Sequence, residues 1–269
     1  MPELIELIDI GANLTHDSFD EDRVDVIDRA KAAGVTRLIV TGASLEGSRQ
    51  AATIAQQYPG RLFATAGVHP HHATEFNTET ASEIRKLALD AVAVGECGLD
   101  FFRDYSPRDR QLKAFEEQLM IATEVQKPVF LHQRDAHDPF AALLREYLPE
   151  MAGGVAHCFT GNKEEMTEYL DMGLHIGITG WICDERRADD LRDAVKYLPL
   201  DRVLLETDAP YLLPRDLKEK PGGRRNEPSL LPHILETAAH YIGQPAAVIG
   251  EAATRNTESL FKLDTKPIS

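Results

Sequence analysis

The chain has 269 residues, 43% of them hydrophobic and 27% charged, with a formal net charge of −15 and a pI near 5.1. That length suits one α/β barrel of about 250 residues, and the composition excludes a disordered chain. The acidity excludes a general cationic coat for nucleic acid, so a nucleic-acid enzyme built on this chain must gather its cations locally or rely on a metal.

The N-terminal run Met-Pro-Glu-Leu-Ile-Glu-Leu-Ile-Asp carries acids where a signal peptide needs cations, and no apolar run reaches the roughly 18 residues of a membrane span. Cys97, Cys158 and Cys183 are odd in number and form no CxxC pair, so a reducing, cytoplasmic setting without membrane contact is expected.

Apolar β-like runs alternate with helix-period segments. A first strand is expected over 4–14 and a helix over 22–33, stopped by Gly34. Strands over 36–41 and 62–68 follow, with helices over 46–58 and 79–89. A fourth strand over 91–95 leads to a long helix over 106–125, with Ser106-Pro107 as its cap and first turn. Strands over 128–132, 154–157, 174–178 and 202–208 alternate with helices over 138–147, 163–172 and 186–197, and helices over 228–242 and 245–260 close the chain. Eight strand–helix units predict a single closed (β/α)8 barrel of the TIM type spanning 1–269. A doubly wound open sheet is the rival, weakened because no Gly-x-Gly-x-x-Gly follows the first strand.

Metal-capable side chains recur where these strands end: Asp9 and Asn13, His69, Glu96 and Asp100, His132, His157, then Glu206 and Asp208. An α/β barrel builds its active site at those C-terminal tips. Any one such histidine could be an ordinary hydrogen-bonded residue, but together they would converge on one mouth. Imidazoles with a carboxylate suit zinc or manganese, and carboxylate with water favours magnesium. On the eighth strand Glu206 and Asp208, two apart, should both face the lumen, with Leu205 and Thr207 facing the helices. Two inward carboxylates call for a cation or a shared proton. Cys97 and Cys158 follow proposed ligands and read as small buried residues; Cys183 is unassigned. Gly95 and Gly98 let backbone crowd near Glu96. Arg103, Arg134, Arg186, Arg187, Arg215, Lys218, Lys220, Arg224 and Arg225 follow the same tips and would form a local anion funnel, although each alone could be a solvated surface charge.

Gly67-Val-His-Pro, Gly95-Glu-Cys-Gly-Leu-Asp, Leu131-His, Ala156-His-Cys-Phe-Thr-Gly and Leu205-Glu-Thr-Asp-Ala-Pro-Tyr-Leu resemble, in order and over nearly the whole chain, the TatD family of metal-dependent deoxyribonucleases. Ile178-Thr-Gly-Trp-Ile-Cys-Asp-Glu-Arg-Arg and Arg224-Arg-Asn-Glu-Pro resemble the bacterial TatD subgroup. The resemblance implies a cytoplasmic metal-dependent nuclease of the TIM-barrel class, removing nucleotides 3′ to 5′ from DNA, preferring single strands and accepting RNA. It implies Glu96, His132, His157 and Asp208 as metal residues. Most members place a His-x-His pair at the end of the first strand, where this chain has Gly11 and Asn13. The expectation is one firm divalent site, magnesium first with manganese or zinc as alternatives, and a weaker second site in which Asn13 or Asp9 could stand in.

In the mechanism expected from these residues, Asp208 serves as general base, Glu96 and Glu206 complete the catalytic set, and His69, Arg134, Arg215 and Arg225 hold phosphate. A monomer is expected, and the task stays open among DNA repair, DNA clearance and RNA trimming. Two alternatives stand beside this reading. One is a barrel hydrolase of amides, lactones or aminoacyl esters, which metal-activated water also serves. The other is a non-catalytic binding scaffold, supported only by the absent His pair.

Overall fold

The computed structural model describes residues 5–219 and 222–263. Leu4, at the start of the first expected strand, and Lys220, in the expected cation funnel, lie outside the described residues.

Eight parallel strands run in sequence order around one sheet: β1 (Leu7–Ala12), β2 (Val35–Val40), β3 (Leu62–Ala66), β4 (Ala93–Asp100), β5 (Val129–Arg134), β6 (Gly154–Ala156), β7 (His175–Ile178) and β8 (Val203–Leu205). The helices between them are α1 (Arg23–Ala32), α2 (Leu45–Gln56), α3 (Thr78–Asp90), α4 (Arg108–Val125), α5 (His137–Tyr147), α6 (Lys163–Asp171) and α7 (Asp189–Ala194), with α8 (Leu231–Ile242) and α9 (Ala246–Phe261) after the last strand. The seam closes where Asp208 N–H donates to the Gly11 carbonyl at 2.8 Å and Asn13 N–H to the Ala209 carbonyl at 2.7 Å. The expected barrel is therefore present. Among the described residues, no helix is long and apolar enough to cross a membrane.

Strand alternation sorts the core into two shells. Ile8, Ile10, Ile39, Ala93, Phe130, Val155 and Leu204 form a cluster with Leu260, Phe261 and Leu263, whereas Leu7, Leu38, Val94, Val129, Leu131, Ile176 and Leu205 join the larger layer shared with the helices. Each large apolar side chain buried this way contributes about 1.5–3 kcal/mol.

Four boundaries differ from expectation for physical reasons. β4 runs on to Asp100 because its extension pairs with β5, Cys97 opposite Leu131 and Asp100 opposite Arg134. β8 ends at Leu205, so Glu206 to Asp208 lie beyond the ladder. The helix expected over 106–125 starts at Arg108 with Pro107 as its cap, and the buried Ser106 hydroxyl instead donates to the His71 carbonyl. The helix expected over 186–197 shortens to α7 and a 3-10 turn, since Arg186 and Arg187 are drawn to Asp184.

Candidate active site

Two glycines set the approach of β4 to β5. Gly95 and Gly98 have φ of 139° and 144°, and a Cβ there would lie 2.2 Å from the Phe130 carbonyl oxygen and 1.9 Å from that of His132. Only glycine tolerates both the backbone region and the contact. This bears out their expected use as crowding residues and carries Glu96 to the tip of β5.

There the buried Glu96 Oε1 meets three imidazole nitrogens: His157 Nε2 at 2.8 Å, His132 Nδ1 at 3.1 Å and His69 Nε2 at 3.3 Å. Burial pushes the Glu96 carboxyl up, but His69, His157 and His132 outweigh it and hold it well below the usual range. Burial opposes the charge of His157, yet Glu96 and Glu206 raise its pKa well above the ordinary value. His132 is also raised, burial being outweighed by Asp100 and Glu96. His69 goes the other way: burial takes it down to about 4 despite Glu96.

Hydrogen bonding fixes which nitrogen faces the centre. His157 Nδ1 lies 3.2 Å from Glu206 Oε2 and Nε2 2.8 Å from Glu96 Oε1, so Glu206 holds the ring with Nε2 turned toward the centre. His132 Nε2 faces Asp100 at 3.4 Å without completing a hydrogen bond, which aims Nδ1 at Glu96. His69 Nδ1 accepts the His71 N–H at 3.1 Å, so its Nε2 carries the proton. One ligand atom each from His69, Glu96 and His132 fits within 4.8 Å. The ring orientations nevertheless point to His132 Nδ1 and His157 Nε2, once deprotonated, as the nitrogens that would join Glu96 on an ion, and to His69 as a hydrogen-bond donor. A carboxylate facing imidazole nitrogens that can give up their protons is a donor set that fits a divalent ion.

Glu206 is fully buried beneath this group. A Cβ on Gly11 would come 2.5 Å from its Oε2, and one on Gly177 2.4 Å from its Oε1. The carboxylate thus fills the space that side chains on β1 and β7 would otherwise take, and it also accepts the Cys158 N–H. The absence of a histidine at position 11 has a steric counterpart here: Glu206 occupies that volume.

Glu206 does point inward, as strand alternation predicts, and Thr207 points away, its hydroxyl and N–H donating to Asp9. Asp208 departs from the alternation, because its left-handed φ of 54° breaks the pleat. Asn13 Nδ2 donates to Asp208 Oδ1 at 2.9 Å, so the amide orients that carboxylate. Burial raises Asp208 to about 7, with His157 opposing and Glu96 and Glu206 adding to the rise. Asp9 is raised to about 7 by burial, partly offset by bonds from Thr207 and Gly11. With both oxygens committed to those donors, Asp9 is a strut between β1 and the β8 tip rather than a stand-in metal ligand.

The cations divide. Arg134 lies 3.9 Å over the Phe102 ring, and Arg215 sits 3.6 Å from Asp184 and 3.8 Å from Glu185. Arg186 and Arg187 both pair with Asp184, which they pull below its usual range. Arg225 does not fit the expected phosphate role. Its fork grips Asp22 at 2.7 Å and Glu227 at 2.8 Å and donates to the Ser18 carbonyl, bracing the β8–α8 loop against the β1–α1 loop.

Residue patterns left several neighbours without a role. Asp100, four residues beyond Glu96 on the same strand face, holds His71 Nε2 at 2.8 Å as well as facing His132. Phe102, Tyr105 and Tyr211 are more than half exposed. Tyr105 lies 4.7 Å from the His71 ring and Tyr211 5.6 Å from that of His16. Their signal was an aromatic within a few residues of a strand tip.

Comparison with known proteins agrees with this geometry. The family model for TatD related DNase matches residues 8–262. A relative from Pantoea sp. (strain At-9b), named 3′-5′ ssDNA/RNA exonuclease TatD, is 51% identical over 259 residues, covering 96% of this chain and 100% of its own. One of the same name from Rahnella sp. (strain Y9602) is 49% identical over 262 residues, covering 97% and 100%. Among solved structures, the TatD homologue YJJV from Escherichia coli K12 superposes with a TM-score of 0.88 at 30% identity, covering 97% of this chain and 100% of its own. A TatD family hydrolase from Entamoeba histolytica gives 0.86 at 28% identity, covering 96% and 99%. The chain belongs to the family of TatD-related DNases.

Proposed function

We propose that the protein is a metal-dependent nuclease that removes nucleotides from the 3′ ends of single-stranded DNA and also accepts RNA. The observation that carries this reading is the set of three imidazole nitrogens within 3.3 Å of one Glu96 oxygen, beside the Asp208 carboxyl. Glu96, His132 and His157 would hold a divalent ion, with Asp208 closing the set. Bound there, magnesium, manganese or zinc would lower the pKa of a water and polarise a phosphate oxygen. One firm site is proposed, and a second, weaker one.

The chain's own groups do the rest. Asp208, beside the metal residues, would accept the proton of the attacking water, and Asn13 fixes its orientation. Glu206 holds the His157 ring in one orientation, a positioning role. His69 Nε2–H, Arg134 and Arg215 donate to phosphate oxygens and stabilise charge developing at phosphorus. Arg225 enters as a brace instead. Phe102, Tyr105 and Tyr211 offer exposed faces on which unpaired bases can stack at about 1–3 kcal/mol each. A duplex hides those base faces, which is the physical ground for preferring single strands.

We place this enzyme in the cytoplasm as a monomer of one barrel domain, a setting that suits three free cysteines. The test is degradation of end-labelled single-stranded DNA, duplex DNA and RNA with added magnesium, manganese or zinc. Glu96→Gln and His132→Ala should each cut turnover by more than about 100-fold, beyond the range for losing a mere supporting residue. Undiminished turnover in both variants would remove the assignment.

A further inference from the structure

Cys183, Asp216 and His233 come from three separate segments: the 3-10 turn after β7, the loop after β8 and the first turn of α8. One sulfur, one carboxylate oxygen and one imidazole nitrogen lie within 4.8 Å of one another. Cys183 is fully buried. The His233 and Asp216 side chains are partly exposed, so solvent reaches the cluster from one side. None of the three belongs to the Glu96 site.

We propose that Cys183, Asp216 and His233 form a separate, structural metal site of zinc type, independent of the nuclease reading. The donor chemistry is selective. A thiolate disfavours magnesium and calcium, while sulfur, imidazole and carboxylate together suit zinc, with solvent supplying the fourth position. Donors around a tetrahedral ion of this kind sit about 3.3–3.7 Å apart, given metal–ligand lengths of about 2.0–2.3 Å. His233 Nε2 and Asp216 Oδ1 are now hydrogen-bonded at 2.6 Å and would have to open by less than about 1 Å. Asp216, partly exposed on a loop, can make that movement.

The ion would tie together the two loops that line an 840 Å³ cavity bearing Trp181, Arg187, Arg215 and Arg224. Cys183 stands two residues from Trp181, and Asp216 directly follows Arg215. The site would therefore fix the spacing of that cavity's aromatic and cationic walls without touching the reacting atoms.

Cobalt(II) provides a probe that separates this site from the other, because Glu96, His132 and His157 include no sulfur. The full-length protein titrated with cobalt should show a near-ultraviolet thiolate-to-cobalt charge-transfer band. Cys183→Ser should abolish it, Cys158→Ser should retain it, and His233→Ala should weaken cobalt binding by more than about 100-fold as read from the band. Zinc should displace the cobalt and bleach the band. No band in the parent protein, a band that survives Cys183→Ser, or binding unchanged in His233→Ala would overturn the proposal. His233→Ala changes a partly exposed residue, so it decides the matter even if Cys183→Ser does not fold.

Discussion

Gly11→Ala isolates the packing of Glu206. Neither Gly11 nor Gly177 has a left-handed backbone, so alanine is conformationally acceptable at both positions, and the obstacle is the carboxylate. An added Cβ at 11 would stand 2.5 Å from Oε2, nearly 1 Å inside ordinary contact. Glu206 ends a flexible side chain, but it is fully buried and held by His157 and Cys158, so retreat breaks those bonds. Overpacking costs about 1–3 kcal/mol, and a lost charge-assisted hydrogen bond about 1.5–3 more, so the variant should lose about 3–5 kcal/mol. In a Glu206→Ala background the clash with the carboxylate is gone and only Phe130 Cζ, at 3.1 Å, remains tight, so Gly11→Ala should be close to neutral, the gain through the unfolded chain offsetting that contact. Urea unfolding of the parent, both single variants and the double variant closes the cycle. A coupling of about 3 kcal/mol or more is expected; additivity within about 0.5 kcal/mol would refute the argument.

Two further outcomes follow from the same geometry. Asp9 titrates near 7 when folded against about 3.9 unfolded, so between pH 4 and 7 the folded chain holds the extra proton and stability falls as pH rises, by up to about 4 kcal/mol. Asp9→Asn should remove that slope, costing about 1 kcal/mol at pH 5 yet stabilising at pH 8; equal slopes in urea midpoints for both proteins would count against it. Arg225→Ala should lower stability by about 1 kcal/mol while leaving the KM for single-stranded DNA within about twofold, whereas Arg215→Ala should raise KM severalfold; a large KM change for Arg225→Ala alone would restore its role as a phosphate contact.

Much of the barrel was legible because each strand is a short apolar run bounded by turn residues and followed by a helix-period segment. The site residues were legible by position, since tips of parallel strands in a barrel share one rim. What escaped was set by packing between distant segments. The stretch from Glu96 to Asp100 contains two acids and a glycine and reads as loop, yet Gly95 and Gly98 let it cross β5 at a distance no other residue allows. Gly11 reads as a missing ligand until Glu206, 195 residues later, is found in its volume. Arg225 reads as a funnel cation because Asp22, on another loop, is invisible to local pattern. Asp208 follows no strand alternation because its backbone turns left-handed.

The seam between first and last strands has a consequence for the life of the protein. Asp208 is anchored on Gly11 and steadied by Asn13, so the proposed base finds its place only when the two ends of the barrel zip together. A growing polypeptide that has emerged only as far as β7 already has Glu96, His132 and His157 but lacks that partner altogether. If Asp208 is the base, a nascent chain short of β8 lacks it, and hydrolytic competence arrives as a by-product of finishing the fold.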